Sequence, residues 1–187
     1  MKSSVLTATA LAIGLAGCGS SGPAEDAAGP TDAATAASEA PLMTAVANLQ
    51  TAEGKAAGSA TATPGQGTIL LSLRVEGLPP GEHGVHVHMV GKCDAPQFES
   101  AGSHWNPVDK QHGLDNPQGQ HAGDMPNLTV GADGRGTITY RLVGGTIDGL
   151  LDDDGSAMVV HAKADDQKSD PSGDSGDRIA CGVFSAG

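Results

Sequence analysis

Seven histidines carry most of the chemistry this sequence could perform: His83, His86, His88, His104, His112, His121 and His161. In an extended strand, side chains two apart share a face. In Gly84–His88, His86 and His88 therefore form a wall of two imidazoles, while Val85 and Val87 point to the core. Ala157–His161 repeats the device, with Met158 and Val160 on one face and His161 on the other. Three imidazoles thus converge on the outer face of a sheet. A polar stretch between them supplies His104, His112, His121 and Asp124, at successive spacings of 8, 9 and 3. Three imidazoles and one carboxylate saturate a tetrahedral Zn²⁺ with no open position, the composition of a structural zinc site. A loop with so few apolar residues needs such a staple.

The elements that must position these groups are strands. The chain has 187 residues with only four aromatics but 28 glycines and 11 prolines, which argues for one core of small aliphatics joined by many turns. Short apolar alternations separated by Gly, Pro, Asn and Asp predict an antiparallel all-β domain. Strands are expected at Met43–Gln50, Gly67–Glu76, His83–His88, Leu128–Val130, Gly136–Leu142, Ala157–His161 and Ile179–Phe184. Leu78-Pro79-Pro80-Gly81 and Ala132-Asp133-Gly134 are turn chemistry. His88–Asn127 and His161–Arg178 show no strand period and read as two long functional loops. The net charge of −12 argues against binding nucleic acid or an anionic surface through a basic field. No stretch approaches the roughly 20 apolar residues of a spanning helix.

The N-terminus reads as an export signal. Residues 1–17 carry one cation, Lys2, and an apolar run, then Leu15-Ala16-Gly17-Cys18, which resembles the lipobox of bacterial lipoproteins. That resemblance implies cleavage before Cys18, acylation of Cys18 and attachment to an envelope membrane through lipid alone. Residues 18–42, rich in Ala, Gly, Ser, Pro, Thr and acids without an apolar period, are expected to form a disordered tether. The folded domain is expected over residues 43–187.

The motifs of that domain resemble, in order and spacing, the copper/zinc superoxide dismutase family. They are Gly84-Val85-His86-Val87-His88, Gly102-Ser103-His104-Trp105-Asn106-Pro107, His112-Gly113, His121-Ala122-Gly123-Asp124, Val159 to Asp166, and Arg178-Ile179-Ala180-Cys181-Gly182-Val183. The resemblance implies a Greek-key β-sandwich or flattened barrel. It implies copper on His86, His88, His104 and His161, and zinc on His104, His112, His121 and Asp124, with His104 shared as an imidazolate. Four nitrogens suit copper, and a closed site with a carboxylate suits zinc. Asp165 matches a carboxylate joining a copper ligand, His86, to a zinc ligand, His112. Arg178 matches a guanidinium beside the open copper face, where it would hold a small anion.

The implied reaction converts superoxide to dioxygen and hydrogen peroxide by alternate reduction and oxidation of copper, with His104 carrying a proton. Cys93 and Cys181 would form a disulfide tying the loop to the barrel, a reading preferred to a thiolate metal site because imidazoles fill both sites. His83 has no role in the resemblance and is expected at solvent or a strand edge, and Trp105 is expected to pack. Ala162–Asp177 holds five aspartates against two lysines, which opposes electrostatic steering of an anion. The sheet faces are short of obvious aromatic anchors for a subunit interface, so the sequence does not decide between monomer and dimer. A non-enzymatic envelope protein that buffers copper and zinc is the competing reading.

Overall fold

A computed structural model describes residues 43–187. Signal, Cys18 and tether lie outside the described residues. The domain is built from nine strands: β1 (Ala45–Thr51), β2 (Ala56–Pro64), β3 (Thr68–Val75), β4 (Gly81–His83), β5 (Val85–His88), β6 (Leu128–Val130), β7 (Gly136–Val143), β8 (Ala157–His161) and β9 (Arg178–Ala186). Seven form one antiparallel sheet in the order β5-β8-β9-β1-β2-β3-β7, and β4 pairs with β6 apart from it. The large sheet curls around a core of Ile69, Leu71, Leu73, Val75, Val85, Val87, Met158 and Val160, all fully buried. These are the alternate residues of their strands, as the period of two requires. The all-β expectation and the two long strandless loops are both met.

Two sequence expectations need correction. β2 escaped the sequence reading because its inward side chains are alanines, Ala57, Ala60 and Ala62, whose small size leaves little apolar signal. The alternation is also broken. The pairing with β1 shifts between Leu49 and Gln50, and Gly58 crosses at φ 132, so close to the Arg74 carbonyl that a Cβ would collide. The bulge inserts one residue and moves the inward set from odd to even positions. The second correction concerns His83–His88, which is two strands in different sheets, divided at Gly84.

β8 is buried on both faces. Met158 and Val160 enter the main core, while Ala157 and Val159 pack with Phe98, Ala101 and Cys181 under the 89–127 loop. Cys93 and Cys181 are joined at an S–S distance of 2.01 Å, which fastens that loop to β9.

Candidate metal centre

The free edge of β5 positions the loop ligands. Trp105 N–H donates to the Val87 carbonyl at 2.8 Å, and Val87 N–H donates to the Gly123 carbonyl at 3.0 Å. These contacts set His104 opposite His88 and Asp124 opposite His86 as isolated bridges. Trp105 anchors the arrangement as packing, as expected. Its indole lies against Gly145 and Gly149, where a side chain at Gly145 would collide with the ring. The imidazole wall is not an open outer face, since the long loops cover it and His86, His88, His104, His112, His121 and His161 are all buried.

His86, His88, His104 and His161 each bring one ring nitrogen within 4.8 Å of the others. The protons of three rings are accounted for by acceptors on their far sides. His86 Nε2 donates to Asp165 Oδ2 at 2.6 Å, His88 Nδ1 to the Gly102 carbonyl at 2.9 Å, and His161 Nδ1 to the Gly176 carbonyl at 3.1 Å. The remaining nitrogens are left with lone pairs. His88 Nε2 and His161 Nε2 face one another at 3.4 Å, while His86 Nδ1 and His104 Nε2 are buried without any partner. Buried acceptors that face only other acceptors are costly unless a cation lies among them. The donor set therefore fits a metal ion that favours imidazole.

The second group centres on Asp124. Its Oδ1 lies 3.0 Å from His104 Nδ1, 3.0 Å from His112 Nδ1 and 3.2 Å from His121 Nδ1. A tetrahedron with bonds of about 2.0–2.1 Å has edges of about 3.3 Å, so these atoms stand close to the spacing a zinc ion imposes. Oδ2 accepts from the backbone N–H groups of Gly113 and His121, at 2.9 and 3.0 Å, which turns Oδ1 toward the rings. His86 also approaches within 4.8 Å of His104, His112 and Asp124. Its Nε2 is engaged by Asp165 and its remaining nitrogen, Nδ1, serves the first group, which leaves His121 Nδ1, 3.2 Å from Asp124 Oδ1, as the further nitrogen beside the second. Asp165 links the groups, receiving His112 Nε2 on Oδ1 at 3.1 Å as well as His86 on Oδ2.

Arg178 is the cross-strand partner of His161. It donates from Nη1 to the Phe98 carbonyl and from Nη2 to the Gly102 carbonyl, both at 2.7 Å. A guanidinium has five N–H donors, so three remain for a ligand. The Gly102 carbonyl serves both Arg178 and His88, which couples the cation to the histidine cluster. Arg178 lines an open cavity of about 800 Å³ that Glu53, Glu99 and Asp177 also border.

His83 is not at solvent: it ends β4, is 3% exposed, and has Nδ1 on the His161 carbonyl at 2.7 Å and Nε2 on the Pro79 carbonyl at 2.8 Å. The break at Gly84 decouples its facing from that of β5, so strand parity could not reveal that it braces the His161 backbone. Sequence reasoning also missed Asn127, whose side-chain amide holds the backbone of Asp165. A lone Asn in a turn carries no signal of such a role.

The electrostatics yield a prediction for the metal-free protein. Burial, then the neighbouring His104, hold His86 at about 3. Burial holds His161 at about 4 and also lowers His88 and His104. In the unfolded chain these rings protonate near about 6.5. Falling pH therefore favours unfolding below that value, by about 1.4 kcal/mol per pH unit for each ring kept neutral by folding. For His112, burial opposes charge, but Asp124 and Asp165 outweigh it and raise the ring to about 9. Its contribution is complete below about 6.5 and fades as pH rises toward 9. Burial works against Asp124 and Asp165 too, but hydrogen bonds from histidines hold both well below the usual carboxylate range. Their contribution is lost only below about pH 4. The melting temperature after chelation should peak near about pH 6.5; calorimetry showing no decline between about pH 6.5 and 4 would contradict this ring assignment.

A model of the copper/zinc superoxide dismutase family matches residues 53–184. A copper/zinc superoxide dismutase of Aquifex aeolicus is 41% identical over 145 residues, covering 73% of this chain and 85% of that protein. One from Caulobacter vibrioides is 43% identical over 148 residues, covering 75% and 84%. The crystal structure of a superoxide dismutase-like protein from Bacillus subtilis superposes with a TM-score of 0.69 at 41% identity, over 74% of this chain and 96% of that one. With that shared sequence, that shared β fold and two adjoining histidine groups fit for metal, this chain belongs to the copper/zinc superoxide dismutase family of oxidoreductases, whose cofactors are copper and zinc.

Proposed function

We propose that the protein is a superoxide dismutase of the cell envelope, converting two superoxide anions and two protons to dioxygen and hydrogen peroxide. His86, His88, His104 and His161 hold copper; His104, His112, His121 and Asp124 hold zinc. When bound, copper supplies the redox step by alternating between its two oxidation states, and zinc keeps the shared ring polarised. The observation that carries this reading is the place of His104. Its Nδ1 meets Asp124 Oδ1 at 3.0 Å, and its other nitrogen is buried and unpartnered in the copper group. That placement would let one ring serve both ions.

The chain's own residues do the rest. His104 Nε2 takes up a proton in one half of the cycle and delivers it to the product in the other. Arg178, fixed by two carbonyls, offers its remaining N–H groups to the incoming anion. The acids around that cavity weaken attraction at long range, so the guanidinium acts at close quarters. Acylated Cys18 would hold the mature domain to an envelope membrane, with residues 19–42 as tether. The disulfide supports an oxidising compartment.

Metal analysis with a superoxide-consumption assay, before and after chelation, tests the proposal. One copper and one zinc per chain are expected, with activity lost on chelation and regained on reloading. Arg178→Ala should retain both metals and lose about 100-fold in rate, the scale of removing one transition-state donor. Full metal content with no superoxide consumption in the intact protein would instead support a copper and zinc buffer.

A further inference from the structure

Asp165 engages His86 of one histidine group and His112 of the other, and it stands on the 162–177 loop, which contains no strand. A side chain so placed keeps two rings oriented only if its own backbone is held. Asn127 holds it. Asn127 Nδ2 donates to the Asp165 carbonyl at 2.8 Å, and Asn127 Oδ1 accepts from the Asp165 N–H at 2.8 Å. The side-chain amide thus closes the pair of bonds that a neighbouring strand would make. Among side chains of this length only Asn carries a donor and an acceptor in that arrangement.

Asn127 is well rooted, immediately preceding β6 and standing three residues after Asp124. The clamp therefore ties the zinc-side segment to the loop that orients His86. Gln167 strengthens the junction, donating its backbone N–H to Asp165 Oδ1 at 2.6 Å and its Nε2 to the Met125 carbonyl at 3.3 Å. Gly173 leaves room for the carboxylate, since any Cβ there would collide with Asp165 Oδ1.

We infer that Asn127 is a positioning residue for both metals: by clamping the Asp165 backbone, it fixes the carboxylate that orients His86 and His112. This rests on reading the two groups as copper and zinc sites. Partners one step beyond a ligand change metal affinity by about 10–100-fold when removed, and Asn127 acts one step further out, through Asp165.

The test uses the full-length, metal-loaded protein with Asn127→Ala, Asp165→Asn and the double variant. Zinc affinity by competition with a chromophoric chelator and the copper electron paramagnetic resonance spectrum are the readouts. Asn127→Ala should lower zinc affinity about 10-fold and shift the copper spectrum, and Asp165→Asn should do more of the same. The double variant should match Asp165→Asn alone, because one residue works through the other. Asn127→Asp keeps the acceptor but turns a carboxylate oxygen toward the Asp165 carbonyl where the donor stood; it should show a loss of the same kind and serves if the alanine variant does not fold. Unchanged zinc affinity and copper spectrum in both Asn127 variants, or losses that add to those of Asp165→Asn, would overturn the inference while leaving the metal sites standing. A wild-type chain that takes up neither metal would overturn the function proposal along with it.

Discussion

Asp124→Ala should empty the zinc site, lowering zinc affinity by at least about 100-fold, beyond what removing an outer partner costs. The carboxylate has two jobs at once. Oδ1 is the atom on which His104, His112 and His121 converge, and Oδ2 satisfies the N–H groups of Gly113 and His121. Alanine removes the only anionic donor of the group and leaves two buried N–H groups without a partner, at about 1–3 kcal/mol each. The rings of His86, His88 and His161 keep their own acceptors, so copper should still bind. Metal analysis after dialysis reads both outcomes together. Zinc retained at the wild-type level would show that the closed site is not built on Asp124.

The largest loss of stability should follow removal of the Cys93–Cys181 bond. The two cysteines are 88 residues apart in sequence, and closing a loop of that size stabilises by about 4.6 kcal/mol in the chain-entropy treatment. At roughly 2–4 °C per kcal/mol for a domain of this size, a Cys93→Ala, Cys181→Ala double variant should melt roughly 9–18 °C lower. Activity should suffer as well. The fastened loop carries the Phe98 and Gly102 carbonyls that hold Arg178, and Gly102 also orients His88. Calorimetry of the double variant, with superoxide consumption measured well below its melting temperature, checks both effects. A melting temperature within about 2 °C of wild type would contradict the entropic account.

Strand periodicity made much of this site legible. Val85 and Val87 in the core dictate the facing of His86 and His88, and Met158 and Val160 do the same for His161, because the period of two is a local property of the chain. Where that period failed, so did the reading. A bulge and an all-alanine inner face hid β2, and the break at Gly84 reversed the expected exposure of His83.

Residue types and spacing sufficed for the all-β class, for three imidazoles on β5 and β8 and for the loop set of His104, His112, His121 and Asp124, since these depend on chemical identity and on alternation along single strands. The division between two metals and the cysteine pairing came from the family resemblance. Tertiary structure decided which nitrogen of each ring is free, that His104 stands between the two groups, and that Asn127 and His83 brace Asp165 and His161. Those outcomes rest on hydrogen bonds that close across as many as 79 residues of chain. Loops without a period have no local rule that specifies their partners, so contacts made in the folded chain settle their course: the edge of β5, the disulfide to β9 and the Asn127 clamp.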